Sequence, residues 1–409
     1  EISSSDWSSD VCSSDLSKPE PGNNIPKAPK AHTVQEAPKP AAEEPKPAAE
    51  EQKATSEEPK PAAEEQKTTT EESKPAEEPK ASGAVAINDN ESDAFGLLLC
   101  GAGESGKTTF TRQLKIKFLG GISEEDRKSF VATIRGNLIE AMQTLLVWAE
   151  RNGLEVSDDL QGEAQDISIL NAFDTEFTPE IADSLSKLWE DETVQEAFKH
   201  KDQTTVPDHM DYFFGKIDEL QDDDYVPSDD DVLRARIRSI GIDAVTFNMD
   251  GAYIRIYDVG GQKNERSKWQ KVMNDVSGCI FVVSFAEYDK PMFEDPSVLR
   301  INDSIEIFKE ISRKQEFQES PIFLICNKYD QFVEKVRNTD TFAKTFPEYD
   351  GNPNDPDKCA EFLKQKFLDV AGNVPTRPIK VYIQSALDSQ QVIDNTNSIC
   401  QFISANYYD

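Results

Sequence analysis

Three short clusters of glycine, hydroxyl and charged residues stand where apolar runs of the sequence end. The first is GAGESGKT, from Gly101 to Thr108, which follows the apolar run Phe95 to Cys100 and begins a helical pattern. Glycines let backbone N–H groups curl around phosphate oxygens, and a helix N-terminus adds positive potential. Lys107 is expected to reach the β- and γ-phosphates of a nucleotide, and the Thr108 hydroxyl to coordinate Mg²⁺. An ordinary glycine-rich turn is the alternative, which the strand-then-helix context disfavours.

The second cluster, DVGGQ from Asp258 to Gln262, also follows a strand-like run. Asp258 can hold Mg²⁺ through water, Gly261 can donate its N–H to a γ-phosphate, and Gln262 can orient an attacking water. This combination indicates phosphoryl transfer to water. The alternative is a strand-ending turn with a solvated glutamine.

The third cluster, NKYD from Asn327 to Asp330, follows the apolar run Ile322 to Cys326. A carboxylate at Asp330 can accept both N1–H and the exocyclic N2–H of guanine, a pair of donors that adenine does not offer. Alone, these four residues are typical of a turn. Downstream of a phosphate-binding loop they favour GTP, and they disfavour the alternative of an ATP-using P-loop enzyme.

The apolar runs before these clusters have the length of strands, and helical patterns separate most of them. Such alternation is typical of a doubly wound α/β sheet. Asp250-Gly251 between two of the runs indicates a hairpin, so one antiparallel edge pair is expected. The strand-like runs are Phe95 to Cys100, Val245 to Phe247, Ile254 to Tyr257, Cys279 to Phe285, Pro321 to Cys326 and Pro378 to Ile383.

Strand patterns are absent between Ser123 and about Asp231, and helical patterns take their place. Apolar residues spaced by threes and fours predict one long amphipathic helix, with Ser123 as its N-cap and Gly153 after its end. An all-helical domain inserted into the α/β domain is expected. The apolar stripe is Phe130, Ile134, Leu138, Met142, Leu145 and Trp148, and further helices are predicted from Pro179 to Trp189, Val194 to His200 and His209 to Leu220.

Composition limits the partners of the chain. Its 409 residues carry a formal net charge of −33, which excludes nucleic acid as a general partner because phosphates would be repelled. No apolar run is long enough for a transmembrane segment. Six scattered cysteines without metal-ligand spacing favour reduced thiols in a cytosolic protein.

The N-terminal part has its own composition. From Lys39 a seven-residue unit rich in lysine, proline, alanine and glutamate recurs, and its prolines and small side chains predict a disordered acidic arm, either a spacer or a partner-docking segment. Three Ser-Ser-Asp repeats indicate a translated sequencing adapter at residues 1–16. The expected domains are the arm at 1–94, the two parts of the α/β domain at 95–119 and 234–409, and the helical domain at 120–233.

The three clusters, with a helical insertion between the first two, resemble a heterotrimeric G-protein alpha subunit from about Phe95 to Asp409. The resemblance implies a Ras-like P-loop GTPase domain with an inserted helical domain, which binds GTP or GDP with magnesium and hydrolyses GTP. It implies signalling from a membrane receptor to an effector, with a beta-gamma dimer and a GTPase-activating regulator as further partners, at the cytoplasmic face of the plasma membrane. The alternative is a nucleotide-locked scaffold with little turnover.

The resemblance also implies roles for single positions. Residues 231–241 resemble switch I, which makes Arg236 the arginine finger, clasped by Glu104, and Ser239 a second Mg²⁺ ligand. Catalysis then falls to Arg236, Gln262 and Lys107, and metal binding to Thr108, Ser239 and, through water, Asp258; residues 263–269 complete switch II, with Trp269 reporting its movement. The expected nucleotide-binding residues are Gly101, Glu104, Ser105, Gly106, Lys107, Thr108, Thr109, Asp191, Glu192, Leu233, Arg234, Arg236, Ser239, Asp258, Gly260, Gly261, Asn327, Lys328, Asp330, Ser385 and Ala386.

The sequence departs from the family pattern in three places. Ser239 stands where the family usually has threonine, which keeps the hydroxyl but loses the methyl group that restricts its rotamer. No basic amphipathic helix of the kind that binds beta-gamma is visible before Phe95. The final helix, expected from near Gln391, ends at Asp409, several residues short of the receptor-contacting tip of relatives.

Replacing Asp330 tests the assignment of the base. We expect Asp330→Asn to lose GDP affinity by about tenfold or more and to prefer xanthine nucleotides, because xanthine carries an oxygen where guanine carries the N2 amine. Competition between GDP, its xanthine analogue and ADP for wild type and variant measures this. A wild-type preference for ADP would contradict the assignment.

Overall fold

The computed structural model describes residues 94–237, 241–249, 252–292, 294–372 and 377–408, which belong to one compact unit. A mixed sheet lies within these residues, and a group of helices lies between its first and second strands in chain order. The predicted acidic arm, the Asp250-Gly251 turn and Ser239 lie outside the described residues.

Six strands form one sheet in the described part of the chain. They are β1 (Phe95–Cys100), β2 (Ile242–Met249), β3 (Ala252–Val259), β4 (Gly278–Ser284), β5 (Ile322–Asn327) and β6 (Ile379–Ile383). Their order is β2-β3-β1-β4-β5-β6, with β2 antiparallel to β3 and all other neighbours parallel. This confirms the predicted doubly wound sheet with one antiparallel edge pair. The carboxyl ends of the parallel strands share one edge, where ligands of open α/β sheets bind.

Helices cover the sheet and form a separate group between α1 and β2. None of the described helices combines the length and the apolar character that a membrane crossing requires. The helices are α1 (Lys107–Phe118), α2 (Glu124–Arg151), α3 (Gln161–Ser168), α4 (Pro179–Glu190), α5 (Glu192–Lys199), α6 (Met210–Phe214), α7 (Ile217–Leu220), α8 (Asp229–Arg234), α9 (Gln270–Met273), α10 (Arg300–Arg313), α11 (Tyr329–Asn338), α12 (Thr341–Thr345), α13 (Pro356–Ala371) and α14 (Ser389–Tyr407).

The long helix α2 follows its sequence pattern. The Ser123 side chain caps its N-terminus by accepting a hydrogen bond from the Asp126 N–H at 3.1 Å, as predicted. Ile134, Leu138 and other residues of the apolar stripe are buried in the core of the helical group. The stripe therefore organises this group by packing, because helices of this kind gain most of their stability from an apolar face.

The helix predicted from His209 to Leu220 is two short helices, α6 and α7. The break falls at Gly215 and Lys216, where the Gly215 N–H bonds to the Asp211 carbonyl. Glycine is unfavourable inside a helix by about 1 kcal/mol relative to alanine, and the Lys216 ammonium pairs with Asp231 instead of facing solvent. Tertiary contacts thus override the helical periodicity here.

Two apolar cores lie on opposite faces of the sheet. Alternate residues of β1 separate them: Leu98 packs in the core beneath α10 and α13, whereas Leu97 and Leu99 pack in the core with α1 and α14. Both faces are covered, which explains why the strands read as continuous apolar runs.

A buried carboxylate fixes the beginning of α8. Asp231 accepts hydrogen bonds from the Ser228 N–H at 2.7 Å, the Tyr212 hydroxyl at 2.8 Å and the Lys216 ammonium at 2.9 Å. Burial alone would raise the pKa of Asp231, but the hydrogen bonds from Ser228 and Lys216 hold that pKa well below its usual value. The ion pair therefore joins α8, which ends two residues before Arg236, to the break between α6 and α7.

Asp231 and its neighbour Asp230 offer a matched pair of variants. We expect Asp231→Ala to lower the free energy of unfolding by about 3 kcal/mol, because Lys216 keeps its charge without its buried partner. Asp230→Ala removes only an exposed ion pair with Arg234, and it should change the free energy of unfolding by less than about 0.5 kcal/mol. Urea denaturation at constant saturating GDP measures both values; equal losses would show that the buried pair has no special role.

Candidate active site

A cleft at the carboxyl edge of the sheet brings six separate segments together. It is lined from the phosphate-loop side by residues of the segment 103–109 other than Ser105, and from the helical group by residues 204–209 and 233–237. From the sheet edge it is lined by residues 261–262, by residues of the segment 327–331 other than Tyr329, and by 385–387. The central position of β1 and the parallel register of its neighbours make this convergence possible. Segments far apart in the sequence therefore form one surface.

The loop after β1 requires glycine at two positions. Gly101 and Gly106 have φ values of 139° and 96°, in the region that side chains disfavour. A Cβ on Gly106 would collide with the Asn327 amide, which donates to the Ser105 carbonyl at 2.8 Å and accepts from the Ala386 N–H at 2.9 Å. Asn327 thus connects the loop to the segment that carries Ser385 and Ala386.

Lys107 begins α1 and points back into the loop. Its ammonium donates to the Ala102 carbonyl at 2.8 Å and the Gly101 carbonyl at 3.2 Å, and a Cβ on Gly261 would collide with it. Burial lowers the pKa of Lys107, and the nearby Asp258 carboxylate opposes that shift. The first two sequence clusters therefore meet at this ammonium.

The surroundings of Asp258 fit a hard divalent cation. Its Oδ2 accepts from the Thr111 hydroxyl at 3.3 Å, whereas no described residue is hydrogen-bonded to its buried Oδ1 or to the buried Ser105 hydroxyl. Burial raises the pKa of Asp258 to about 6, although Lys107 acts to lower it. Oxygen donors from Asp258, with Thr108 in the lining of the same cleft, are the ligand type that Mg²⁺ prefers.

Two arginines share the Glu104 carboxylate. Arg236 donates to it through Nη2 and to the Thr205 carbonyl through Nη1 at 2.7 Å. Arg300 donates to the other Glu104 oxygen at 2.5 Å and to Glu287 at 3.1 Å. Burial would raise the pKa of Glu104, but the two guanidinium groups hold it below its usual value. The clasp of Arg236 by Glu104 that the resemblance implies is present.

Gln262 lies directly against the phosphate loop. A Cβ on Gly103 would stand 2.7 Å from Gln262 Nε2, so a side chain at this position would displace the glutamine amide. Behind it, the Trp269 indole is buried and donates to the Gly260 carbonyl at 2.8 Å. The glutamine, the loop and the arginine clasp therefore occupy one end of the cleft.

The third cluster occupies the other end. The Asp330 carboxylate accepts from the Ser385 hydroxyl at 2.5 Å, and the Asp330 N–H donates back to that hydroxyl at 3.1 Å. Lys328 sits in the left-handed region with φ 56° and directs its ammonium to Asp208 at 2.9 Å and Glu287 at 3.1 Å. Asp330 is thus oriented by the segment that also carries Ala386.

Other predicted residues lie in or beside the cleft. Leu233 and Arg234 line it, and Thr109 contacts the Leu233 carbonyl at 3.4 Å. Gly101 and Ser105 are outside the lining itself, but their carbonyls accept hydrogen bonds from Lys107 and Asn327. Ser239 lies outside the described residues.

The prediction that Asp191 and Glu192 border the cleft is wrong. Asp191 is the N-cap of α5, accepting from the Thr193 N–H at 2.8 Å and the Ser157 hydroxyl at 2.6 Å. Glu192 begins that helix on a different part of the surface. An acidic residue before a helix can be a cap as readily as a ligand contact, and here capping decides its position.

Asp208 and His209 occupy the cleft instead. Asp208 pairs with Lys328 at 2.9 Å and with Lys290 at 3.3 Å, and burial would raise its pKa, but the lysines hold it well below the usual value. His209 Nε2 lies 3.4 Å from Gln331 Nε2, and burial lowers the pKa of this imidazole. Nothing in the local pattern around Pro207 indicates these contacts, because their partners lie more than eighty positions away.

Comparison with known proteins identifies the family of the chain. The family model described as G-protein alpha subunit matches residues 67–403. The chain is similar to the guanine nucleotide-binding protein subunit alpha-1 of Trichomonas vaginalis, at 58% identity over 326 residues, which is 79% of this chain and 81% of the relative. It is similar to the alpha-8 subunit of Dictyostelium discoideum, at 36% over 67% of this chain and 68% of the relative. A guanine nucleotide-binding protein subunit alpha of Cochliobolus heterostrophus is 32% identical over 72% of this chain and 84% of the relative.

Asp208 lines the cleft and Asp191 does not, so replacing each should affect GDP release differently. We expect Asp208→Asn to speed GDP release about tenfold, because it weakens the buried ion pair with Lys328 that joins the helical group to the base-binding end. Asp191→Asn should leave release unchanged within about twofold, since asparagine caps helices as well as aspartate does. Dissociation of a fluorescent GDP analogue measures both rates. Faster GDP release from Asp191→Asn alone would support the sequence-based prediction that Asp191 borders the cleft.

Proposed function

The chain belongs to the G-protein alpha-subunit family, and from that premise we propose that Arg236, Gln262 and Lys107 carry out its reaction. It is a guanine-nucleotide-binding signalling switch that hydrolyses GTP to GDP and phosphate. The observation that carries the assignment of residues is the meeting of all three sequence clusters and Arg236 in one cleft.

The phosphates are proposed to bind at the loop from Gly101 to Thr108. Backbone N–H groups at the start of α1 and the Lys107 ammonium supply positive charge there. At the other end, Asp330 accepts the two guanine donors, while Ser385 holds the carboxylate in orientation. The Ala386 segment, tied to the loop through Asn327, keeps the distance between the two ends constant.

Hydrolysis in this proposal needs no covalent intermediate. Gln262 orients the attacking water beside Gly103, and Arg236 neutralises charge that develops on the transferred phosphoryl group. In this structure the Arg236 guanidinium contacts Glu104 and the Thr205 carbonyl, both within the cleft, so it is held near the loop. Lys107 stabilises the same charge from the loop side.

Magnesium is proposed to bind between the loop and β3. Thr108, Ser239 and, through water, Asp258 would hold it, and the raised pKa and unpartnered Oδ1 of Asp258 support such a cation. When bound, Mg²⁺ neutralises charge on the β- and γ-phosphates. The protein's part is to hold the hydroxyl and carboxylate oxygens towards the phosphate loop.

The switch itself is proposed to depend on the γ-phosphate. The γ-phosphate would hold the loops around Ser239 and Gly261 in place, and its loss on hydrolysis would release them. On this basis the proposed partners are a membrane receptor, a beta-gamma dimer, an effector and a GTPase-activating regulator. The proposed location is the cytoplasmic face of the plasma membrane.

Gln262→Leu separates turnover from simple nucleotide storage. We expect single-turnover GTP hydrolysis to fall about a hundredfold, with GTP binding retained, because the variant cannot orient the attacking water. Gln270→Leu, which removes an exposed glutamine of α9 from contact with Glu316, is the control and should keep the wild-type rate. Equal rates for wild type and Gln262→Leu would favour a nucleotide-locked scaffold.

A further inference from the structure

The peptide group between Ala235 and Arg236 is held at both of its polar atoms. Arg112, from α1, donates through Nη1 to the Ala235 carbonyl at 2.7 Å. Asn137, from α2, accepts a hydrogen bond from the Arg236 N–H at 3.0 Å. The carbonyl and the N–H belong to one planar unit, so two contacts on opposite sides fix its orientation.

Both side chains are buried, which makes these contacts strong. Arg112 is 7% exposed and Asn137 is 3% exposed. A buried donor or acceptor that loses its partner costs more than the bond itself is worth in water. Neither side chain has solvent as a ready substitute, so each is held to its backbone partner.

Arg112 ties three elements to one another. Its Nη1 also donates to the Val232 carbonyl of α8 at 2.8 Å, and its guanidinium lies 5.0 Å from the centre of the Phe130 ring of α2. Burial lowers the pKa of Arg112 to about 10, which leaves it charged at neutral pH. Because Arg112 and Lys107 lie on the same helix, the hydrogen bond from Arg112 to the Ala235 carbonyl also sets the distance between the 235–236 peptide and the phosphate loop.

We propose that Arg112 and Asn137 are positioning residues for GTP hydrolysis, which fix the 235–236 peptide and thereby aim the Arg236 side chain at the phosphates. The inference rests on the proposed role of Arg236. A long arginine side chain can sweep a wide volume, so its useful position depends on a fixed backbone origin. Small misplacements of a catalytic group can cost orders of magnitude in rate.

A double-mutant cycle tests the proposal with the full chain loaded with GTP and Mg²⁺. Asn137→Ala should slow single-turnover hydrolysis about tenfold in the wild-type background. In the Arg236→Ala background it should change the rate by less than about twofold, because there is no guanidinium left to aim. Asn137→Asp keeps an acceptor oxygen for the Arg236 N–H and should recover the rate to within about threefold.

Gln143→Ala is the matched control for Asn137→Ala. Gln143 is also an amide side chain of α2 with backbone partners, the carbonyls of Ile167 and Leu170, but it is remote from Arg236. It should leave the hydrolysis rate within about twofold of wild type, and GDP release should be unchanged in both variants. A tenfold loss in Gln143→Ala would show a general effect of weakening α2 and overturn the proposal.

The outcomes distinguish the positioning role of Arg112 and Asn137 from the catalytic role of Arg236. If Asn137→Ala slows the enzyme equally with and without Arg236, positioning is overturned while the role of Arg236 stands. If Arg236→Ala itself hydrolyses GTP at the wild-type rate, the proposed function of that residue fails. Should Asn137→Ala not fold, Arg112→Lys takes its place in the same cycle. A slower hydrolysis only where Arg236 is intact supports positioning. An equal slowing with Arg236 and with Arg236→Ala overturns it.

Discussion

The burial of the Lys107 ammonium is the constraint on which the rest of the site depends. Burial lowers the pKa of this lysine, so a charged form requires close partners, which the Gly101 and Ala102 carbonyls and Asp258 provide. Those partners approach only because the loop backbone folds back on α1 and because Gly261 has no side chain. The loop, the end of β3 and the first turn of α1 are therefore arranged around one charge.

A very acidic chain thus offers a local site for a polyanion. Among the described residues that line the cleft, cationic side chains outnumber carboxylates, and Glu104, Asp208 and Glu287 are each engaged by lysine or arginine. The pairs of Asp208 with Lys328 and Lys290 join the helical group to the sheet edge, so they hold two walls of the cleft together as well as balancing its charge. The cations of the lining are Lys107, Arg112, Arg234, Arg236, Lys290, Arg300 and Lys328.

Local patterns explain why much of the fold could be predicted. Strands buried on both faces give continuous apolar runs, and β1 begins and ends at the predicted residues. The Ser123 cap and the apolar stripe of α2 act within a few turns, so they are visible in the sequence. The apolar periodicity from His209 to Leu220 wrongly predicted one helix, because Gly215 and the ion pair between Lys216 and Asp231 divide this segment into two short helices.

The sequence alone determined which residues could bind phosphate, guanine and magnesium, since loop, strand end and side-chain chemistry are read over a few positions. Only the tertiary structure decided that Asp208 and His209, and not Asp191 and Glu192, border the cleft, and that Arg112 and Asn137 hold the peptide before Arg236. The physical reason is the separation in sequence between the residues that interact. Caps and glycine loops act between neighbours in the chain, whereas ion pairs and buried hydrogen bonds join residues that only the packed fold brings together.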